Sequence, residues 1–361
     1  MNVISIIMAI FAVLGGIDLI IGNKIGIGKE FERGILLLGS LTMSMLGMLV
    51  LTPLIAKLIT PILNFLYKIT NVDPSSFISL ILSNDMGGAP LSLELCKNQD
   101  IGYFNGLVVA AMMGATITFS LPLAIRLVKK PHDNLLLGLM CGFATVPIGT
   151  IVAGLLAKIP FGLLMLNQIP LILFSLLVAL GLWKFPQVSV KIFNVLGIAI
   201  KTLIVFGLIV GIFEALTGWD VIPYTSSVYE NIDLILSVAL VMSGSFPLLA
   251  LLSKALKKPL AALSKKTGLN SYSTLGFIST IATSVTTYEL MNDMDEKGVV
   301  LNAAFSVSAA YTLAGALAFT LAFNAEYLAF VLVGKIVAGI SAIAVAALVT
   351  KKHFKSNITI E

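Results

Sequence analysis

Long apolar runs most constrain what this chain can fold into, because a helix needs roughly 20 apolar residues to cross a bilayer. The chain is 58% hydrophobic and 11% charged, whereas soluble domains carry about 25% charged residues. A water-soluble fold of this length cannot bury so much apolar surface. The sequence therefore predicts an all-α, polytopic membrane protein. Its apolar segments lie at about 3–22, 34–56, 77–95, 103–126, 134–157, 166–183, 191–214, 231–253, 271–290, 298–323 and 327–349.

Several classes of function are disfavoured. Two cysteines, Cys96 and Cys141, are too few for a disulfide or metal framework. The sequence has no glycine-rich nucleotide loop, no zinc-binding His-Glu-x-x-His and no paired nucleophile and base. The net charge of +5 comes from short loops, where Lys and Arg set membrane orientation. We therefore expect no cofactor, no metal, no nucleic-acid partner and no enzymatic activity.

The chain resembles itself at a shift of about 198 residues, which indicates an internal duplication. The duplication divides the chain into a first repeat at 1–160, a linker helix at 161–187 and a second repeat with the C-terminal tail at 188–361. The matched positions are Phe31-Glu32 with Tyr229-Glu230, Pro61 with Pro259, Lys68 with Lys266, Phe77-Ile78-Ser79 with Phe277-Ile278-Ser279, and Asn105 with Asn302.

Loop charge predicts the orientation, because Lys and Arg in short loops favour the cytoplasmic side. The basic tail at 351–355 places the C-terminus inside. Two crossings at 298–323 and 327–349 then return the chain to the inside at 291–297. The loop before 271–290 also belongs inside, since it carries Lys254, Lys257, Lys258, Lys265 and Lys266. Both ends of 271–290 then lie on one side, so this segment is predicted to enter and return as a re-entrant hairpin.

Continued towards the N-terminus, the same counting makes 77–95 a second re-entrant hairpin, entering from the outside. The result is nine crossings and two hairpins, with the N-terminus outside. Each repeat contributes about four crossings and one hairpin. The single linker helix turns the second repeat upside down, as in inverted-repeat transporters.

The most polar interruption of an apolar segment is Ser83–Pro90. An acid at membrane depth is costly and is usually functional. Asp85, with Asn84 beside it, is the candidate contact for a cation, and Gly87 and Gly88 allow a sharp turn next to the carboxylate. The alternatives are a carboxylate paired with a structural lysine and a short polar external loop.

The matching tip of the second hairpin lies at 283–289. Its hydroxyls could hold a polar ligand, and its aromatic ring and its acid could each face a cation. The alternative is that the hydroxyls satisfy helix backbone and the acid lies at an interface. The candidates are Thr283, Ser284, Thr287, Tyr288 and Glu289. Just after the hairpins, Asn105 and Asn302 are expected to hold them in place or to touch a substrate.

Four further charged residues lie in or near apolar runs. Asp18 and Glu214 lie near the ends of apolar runs and are expected to neutralise a neighbouring charge or to be solvated at the lipid headgroups. Long lysine side chains commonly reach the membrane surface, so Lys335 is expected to be interfacial. Lys201 is deeper and is a candidate partner for an acid.

Several short motifs follow one another over about residues 10–345. They are Phe31-Glu32-x-Gly34, Met45-x-Gly47-Met48, Asn84-Asp85-Met86-Gly87-Gly88 with Glu94-Leu95, Ala111-Met112-Met113-Gly114-x-Thr116-Ile117, Val146-Pro147-Ile148-Gly149, Met294-Asp295-x-x-Gly298, Asn302-x-Ala304-Phe305-x-Val307-Ser308 and Val333-Gly334-Lys335. In this order, the motifs resemble those of the membrane transporters of ethanolamine utilisation, the EutH type.

This resemblance implies uptake of ethanolamine through the bacterial inner membrane into the cytoplasm. The substrate class would be small protonated amines, with a carboxylate for the ammonium and amides or hydroxyls for the alcohol. The resemblance leaves open whether uptake is coupled to an ion and whether the protein forms a homo-oligomer. The other class of function considered is a ligand-binding sensor or structural membrane subunit without transport.

The chain departs from the family at two places in its second half. The second hairpin of family members carries Asn-Asn-x-Pro, where this chain has Thr283-Ser284-Val285-Thr286. The following helix of family members carries Gly-Asp-His, where this chain has Ala314-Gly315-Ala316. The second departure removes an acid and a His from the implied substrate region, and both departures lie where substrate specificity is expected to be determined.

The topology can be tested by cysteine labelling. We expect single cysteines at positions 97 and 265, in a chain without its native cysteines, to react with a membrane-impermeant maleimide from opposite sides. Position 97 lies between the first hairpin and the crossing at 103–126, on the predicted outside. Position 265 lies in the lysine-rich loop before 271–290, on the predicted inside. Reaction of both cysteines from the same side would contradict the inverted arrangement.

Overall fold

A computed structural model describes residues 3–267 and 269–358, with side chains described outside 257–268 and 352–358. Every regular element in these ranges is helical. The helices are α1 (Val3–Ile20), α2 (Gly28–Leu41), α3 (Gly47–Thr70), α4 (Ser75–Ile78), α5 (Ala89–Leu95), α6 (Gln99–Tyr103), α7 (Leu121–Leu127), α8 (Asp133–Leu156), α9 (Phe161–Lys184), α10 (Pro186–Thr217), α11 (Val228–Thr267), α12 (Ser271–Ala282), α13 (Ser284–Leu290), α14 (Glu296–Ala309), α15 (Gly315–Asn324) and α16 (Leu328–Ile358).

Short π-helical stretches join some of these helices into longer rods. A turn at Thr42–Leu46 connects α2 to α3, and the stretches Phe104–Gly114 and Thr116–Ser120 connect α6 to α7. π-Helical turns are rare and occur often at functional sites. Both rods pass the cavity described below, so its wall is built from irregular helix.

Eight helices within the described ranges are long and apolar enough to cross a membrane. Large apolar side chains cover their outward faces; on α9, for example, Leu173, Leu177 and Trp183 are 62%, 66% and 65% exposed. Helices satisfy their own backbone hydrogen bonds, which lipid requires. The prediction of an all-α, multi-pass membrane protein is confirmed.

The predicted crossing at 298–323 is not one continuous helix in the structure. It divides into α14 and α15 at 310–314, where Tyr311 has a positive φ of 60°. The unwound backbone is not left unpaired, because the Tyr311 N–H donates to the Thr280 carbonyl oxygen at 3.0 Å. The predicted loop at 254–266 is also helical, as the C-terminal part of α11. The side chains of Lys257, Lys258, Lys265 and Lys266 lie outside the described residues.

Both segments predicted as hairpins are broken helices. In the first, extended backbone at Ser83 precedes a π-helical turn, Asn84–Gly88, and then α5. In the second, extended backbone at Thr283 separates α12 from α13, with φ −160° and ψ 135°. The breaks place polar residues between short apolar helices, as the Gly and Ser/Thr content of these stretches predicts.

The ends of the first broken segment are clamped together by one carboxylate. Asp73 accepts hydrogen bonds from the Ser75 N–H and hydroxyl, and from the N–H groups of Lys97 and Asn98 at 2.8 and 3.0 Å. Burial and the Asp73 charge raise the pKa of the neighbouring Cys96 thiol, so this cysteine stays protonated. The start and end of the segment are therefore fixed to each other.

The second broken segment has an equivalent clamp with the residue types exchanged. Here the amide residue Asn270 stands at the start and the carboxylate of Asp295 at the end. The Asn270 N–H donates to Asp295 at 3.0 Å, and the Ser273 hydroxyl lies within hydrogen-bond distance of the side-chain oxygens of both Asn270 and Asp295. Asp295 also caps α14 by accepting from the Gly298 N–H.

Asp18 and Glu214 have matching local roles that differ from the expected charge neutralisation or headgroup solvation, because both accept hydrogen bonds from backbone N–H groups. Asp18 is fully buried and accepts from the N–H groups of Ile25, Ile27 and Gly28 at 2.8–2.9 Å. Glu214 accepts from two N–H groups and a threonine hydroxyl of the loop after α10. Each acid therefore orders the loop that leads into the next long helix.

Lys201 was a candidate partner for an acid, but its side chain is exposed on α10.

Small residues allow the closest helix contacts, as is common where helices pack in membranes. Helices α3 and α10 meet at Gly47 and Gly207. A Cβ at Gly47 would lie 1.8 Å from the Ile204 carbonyl oxygen, and one at Gly207 would lie 2.0 Å from the Gly47 carbonyl oxygen. Because the nearest atoms are backbone atoms, no flexible side chain can move aside to make room for an added methyl group.

We expect Gly47→Ala to destabilise the protein by about 1–3 kcal/mol, because the added methyl must push two helices apart. The matched control is Gly39→Ala on α2, where a Cβ meets nothing within 4 Å and a small gain of about 0.5–1 kcal/mol is expected. Thermal unfolding in detergent measures both. Equal melting temperatures for the two variants would contradict the close contact.

Candidate functional site

A central cavity of about 720 Å³ lies between the two broken segments. Residues from both segments line it, together with residues from α2, α11, the break between α14 and α15, and α16. The polar and aromatic lining residues are Glu30, Arg33, Ser40, Ser44, Ser83, Asn84, Asp85, Phe119, Phe246, Ser253, Ser279, Thr283, Thr286, Tyr311 and Lys335. The predicted residues brought together here are Asn84, Asp85 and Thr283.

The turn at Asn84–Gly88 depends on its two glycines. The Ser83 carbonyl oxygen accepts from the N–H groups of Met86 and Gly88 at 3.1 and 2.8 Å. Gly87 has φ +90°, and a Cβ there would lie 2.2 Å from Cγ of Met48. A Cβ at Gly88 would lie 2.5 Å from the Ser83 carbonyl oxygen. These glycines shape the turn behind Asp85, and neither lines the cavity.

Asp85 is half-buried at the cavity wall, and the Ser83 hydroxyl donates to its Oδ1 atom. Ser83 Oγ also lies 3.3 Å from Oδ1 of Asn84. The amide nitrogen Nδ2 of Asn84 is buried and has no hydrogen-bond partner. The tip of the first segment thus presents one carboxylate to the cavity.

Lys335 is the functional candidate that sequence reasoning misplaced. It was expected at the membrane surface, yet its side chain is 1% exposed and its Nζ atom donates to the Ala111 carbonyl oxygen at 2.6 Å. It lines the same cavity as Asp85, but the two do not form a direct ion pair. The only sequence signal for burial was the position of Lys335 inside an apolar run. A lysine whose long side chain reaches the membrane surface would occupy the same kind of position.

The second tip contributes less to the cavity than predicted. Thr283 lines it, whereas Ser284 is buried and donates to the Tyr311 hydroxyl at 2.8 Å. The Thr287 hydroxyl pairs with that of Thr280, and Tyr288 is fully buried with its hydroxyl 3.1 Å from Ser306 Oγ. Glu289 is exposed and does not line the cavity.

The two matched asparagines hold their segments, one of the two roles expected for them. Asn105 donates from Nδ2 to the hydroxyls of Ser75 and Ser76 at 2.9 and 3.0 Å. Asn302 donates from Nδ2 to the carbonyl oxygens of Ser273 and Gly298 at 2.9 and 3.0 Å. Both are buried and neither lines the cavity.

Two aromatic contacts of the cavity were not predicted. Deep in the cavity, Tyr311 and Phe119 meet edge to face with ring centroids 6.0 Å apart. Near the start of α2, Arg33 lies over the Phe246 ring at 4.8 Å and pairs with Glu30 at 3.3 Å. Tyr311 lies at the helix break, and no local sequence motif marks that break.

Both departures from the family pattern lie at the cavity. Thr283, Val285 and Thr286 line it from the second tip, and the stretch Ala314–Ala316 lines it from the helix break. No group of three or more potential metal ligands occurs within the described ranges. Among the described residues, the charged side chains that line the cavity are Glu30, Arg33, Asp85 and Lys335, and most of the other lining residues are apolar.

These features define a multi-pass helical membrane protein with a central cavity that is lined by apolar residues and a few polar and charged ones, the architecture of membrane transporters. The family model described as "Ethanolamine utilisation protein, EutH" matches residues 1–349. The chain therefore belongs to the EutH family, and the resemblance found in its motifs is confirmed.

Relatives match over nearly the full chain. "Probable ethanolamine permease EutH" of Listeria monocytogenes serotype 1/2a (strain 10403S) is 38% identical over 99% of this chain and 96% of its own length. The protein of the same name in Escherichia coli (strain K12) is 32% identical over 98% and 96%. "Uncharacterized protein YxeR" of Bacillus subtilis (strain 168) is 33% identical over 97% and 95%. No solved structure matches. The first two names denote permeases, in agreement with the expectation that the chain is not an enzyme.

We expect Asp85→Asn and Lys335→Met each to destabilise the protein, because each leaves one buried charge without its opposite. The double variant should be more stable than the sum of the single effects predicts, by about 1 kcal/mol or more. Thermal unfolding of the four proteins in detergent gives this coupling energy. Asp85→Asn combined with Arg33→Met, at the exposed end of the cavity, serves as the control and should be additive. Additive effects at Asp85 and Lys335 would contradict their electrostatic coupling.

Proposed function

We propose that this protein is a permease that takes up ethanolamine or a related small protonated amine. The observation that carries the proposal is a carboxylate, Asp85, at the wall of a largely apolar cavity inside a helical membrane protein. Intramembrane acids usually mark substrate or ion pathways. The printed names of the Listeria and Escherichia relatives support the same substrate class.

In this proposal Asp85 contacts the ammonium group, and the remaining lining supplies polar and aromatic contacts. Asn84 and Thr283 offer hydrogen-bonding groups, and Tyr311 and Phe119 offer aromatic faces near the cation. The Gly87-Gly88 backbone gives the carboxylate its position. Lys335 supplies the compensating charge when the cavity is empty, and a bound ammonium takes over that role at Asp85.

The other predicted site residues act on the substrate indirectly. Asn105 and Asn302 hold the two broken segments to the neighbouring helices. Ser284 positions the Tyr311 hydroxyl, and Thr287 and Tyr288 pack the second tip. Such supporting contacts fix the geometry of a binding site as much as the contacting residues do.

We further propose that the fold is an inverted repeat with two re-entrant hairpins. Matching elements support it, since each half contains a long helix, a broken segment and a clamp at its base, in that order. Asp73 and Asn98 of the first clamp correspond to Asn270 and Asp295 of the second, each at an offset of 197. The repeats are 1–160 and 188–361, joined through α9 at 161–187.

The proposed location is the bacterial inner membrane, with the N-terminus outside and the C-terminus in the cytoplasm. In that orientation the basic loop before α2 is cytoplasmic. Glu30 and Arg33, near the start of α2, then mark a cytoplasmic opening of the cavity. Movement of the two broken segments against each other would alternate access between the two sides.

Uptake of labelled ethanolamine into proteoliposomes tests the proposal. The wild-type protein should give saturable uptake, and Asp85→Asn should reduce the apparent affinity by tenfold or more, since a charge-assisted hydrogen bond contributes about 1.5–3 kcal/mol. The matched control is Glu94→Gln, which neutralises an exposed acid on the same segment outside the cavity. Binding of ethanolamine without uptake would instead identify a sensor or structural subunit.

A further inference from the structure

A lysine and a carboxylate share the central cavity without touching. Lys335 is 1% exposed, and its Nζ atom donates to the Ala111 carbonyl oxygen at 2.6 Å. Among the residues that the structure describes, no carboxylate forms a direct ion pair with this lysine. A carbonyl oxygen accepts a hydrogen bond from the ammonium but does not cancel its charge. The buried ammonium therefore depends on an opposite charge at a distance.

Asp85 supplies that opposite charge. Both residues line the cavity, and the Asp85 carboxylate acts electrostatically on Lys335. The two other charged residues of the lining, Glu30 and Arg33, pair with each other at 3.3 Å. Tyr311 also lines the cavity, and a phenol carries no charge near neutral pH. Apart from the Glu30–Arg33 pair, the described lining thus contains one negative and one positive charge.

The helices packed against α16 add no further charge to the cavity. Helix α16 contacts α8, α14, α15, the stretch Phe104–Gly114 and the turn Ala325–Tyr327. Neither α15 nor the stretch contains a titratable residue, and those of the other elements do not line the cavity. They are Asp133, Cys141, Glu296, Lys297, Glu326 and Tyr327. The charge balance at Lys335 therefore rests on Asp85.

An ammonium that binds at Asp85 disturbs this balance. The carboxylate becomes the opposite charge of the ligand, and Lys335 is left as a buried cation in a lining that is mostly apolar. An uncompensated charge in such an environment is so costly that an ionisable group becomes neutral instead. Lysine can do so by releasing a proton, and the neutral amine still has N–H groups to donate to the Ala111 carbonyl oxygen.

Resting on the proposed function, we propose that the protein exchanges protons for amines, with Lys335 as the group that carries the proton. When the substrate ammonium binds at Asp85, an N–H bond of Lys335 breaks, the electron pair stays on the nitrogen and the proton passes to water. When the amine leaves on the cytoplasmic side, Lys335 takes up a proton from that side. One proton thus leaves the cytoplasm for each ammonium that enters, and no net charge crosses the membrane.

Binding experiments on the purified full chain count the released protons. Ethanolamine is titrated calorimetrically at about pH 6.5, where an alkylamine keeps its own proton, in two buffers of different ionisation enthalpy. The wild-type protein should release about one proton per amine, so its affinity should rise about tenfold per pH unit between about pH 5.5 and 6.5. Lys335→Met should release almost none, because Asp85 then binds the ammonium with no second cation to neutralise.

Uptake into proteoliposomes tests the exchange itself. An inside-negative potential of about 100 mV, set by a K⁺ gradient with valinomycin, should leave the initial rate of ethanolamine uptake by the wild-type protein unchanged. The same potential should raise the rate of Lys335→Met about threefold or more, because the ammonium then crosses with its charge. Protein-free vesicles give the rate at which neutral amine diffuses through the lipid, and this rate is subtracted.

The matched control is Lys201→Met, which removes an exposed lysine of α10 outside the cavity. It should release about one proton per amine, as the wild-type protein does, and its uptake should not respond to the potential. The wild-type measurements test the exchange even if Lys335→Met does not fold.

Wild-type uptake that accelerates with the potential, or wild-type binding that releases no proton, would overturn the exchange and leave the permease function in place. Release of one proton that persists in Lys335→Met would overturn the role of Lys335, because another group would then carry the proton. Absence of ethanolamine binding and uptake by the wild-type protein would overturn the proposed function itself.

Discussion

A carboxylate inside a membrane protein is stable only where its surroundings compensate the lost water, and the arrangement around Asp85 follows from that requirement. The Ser83 hydroxyl donates to the carboxylate, and the Lys335 ammonium faces the same cavity. Lys335 in turn is held by the Ala111 carbonyl oxygen. The turn that presents Asp85 needs glycine at position 87, because no side chain fits beside Met48 with a positive φ. The need to compensate and position the Asp85 charge thus accounts for the residue types at several neighbouring positions.

Breaking helices inside a membrane carries its own requirement, since freed backbone groups must find partners within the protein. At the break between α14 and α15, the N–H groups of Tyr311 and Leu313 donate to the carbonyl oxygens of Thr280 and Ile281 at the end of α12. The second broken segment and the helix break therefore complete each other's hydrogen bonds. These backbone hydrogen bonds join the two breaks directly, and residues of both line the cavity.

The sequence was sufficient for the class of fold, for the family and for the tip at Asp85, because apolar run length, ordered motifs and an intramembrane acid are local signals. It was not sufficient for the break at 310–314, where Ala310–Ala314 contains neither glycine nor proline and the unwinding depends on contacts with α12. Lys335 was misplaced for a similar reason. Whether a long lysine in an apolar run reaches lipid headgroups or a buried cavity depends on helix packing, which periodicity does not give.

The clamps at the bases of the two broken segments share their geometry but not their residue order. Asp73 accepts from the Asn98 N–H at 3.0 Å, and Asp295 accepts from the Asn270 N–H at 3.0 Å. If the two halves descend from one gene, a single substitution in either clamp would have passed through a form with two acids or with two amides. Two facing acids repel, and two amides lack the charged acceptor that the backbone N–H groups use. The acid and the amide of each clamp are therefore expected to have evolved as a unit, and an exchange of one position between the halves should be tolerated only when its partner is exchanged as well.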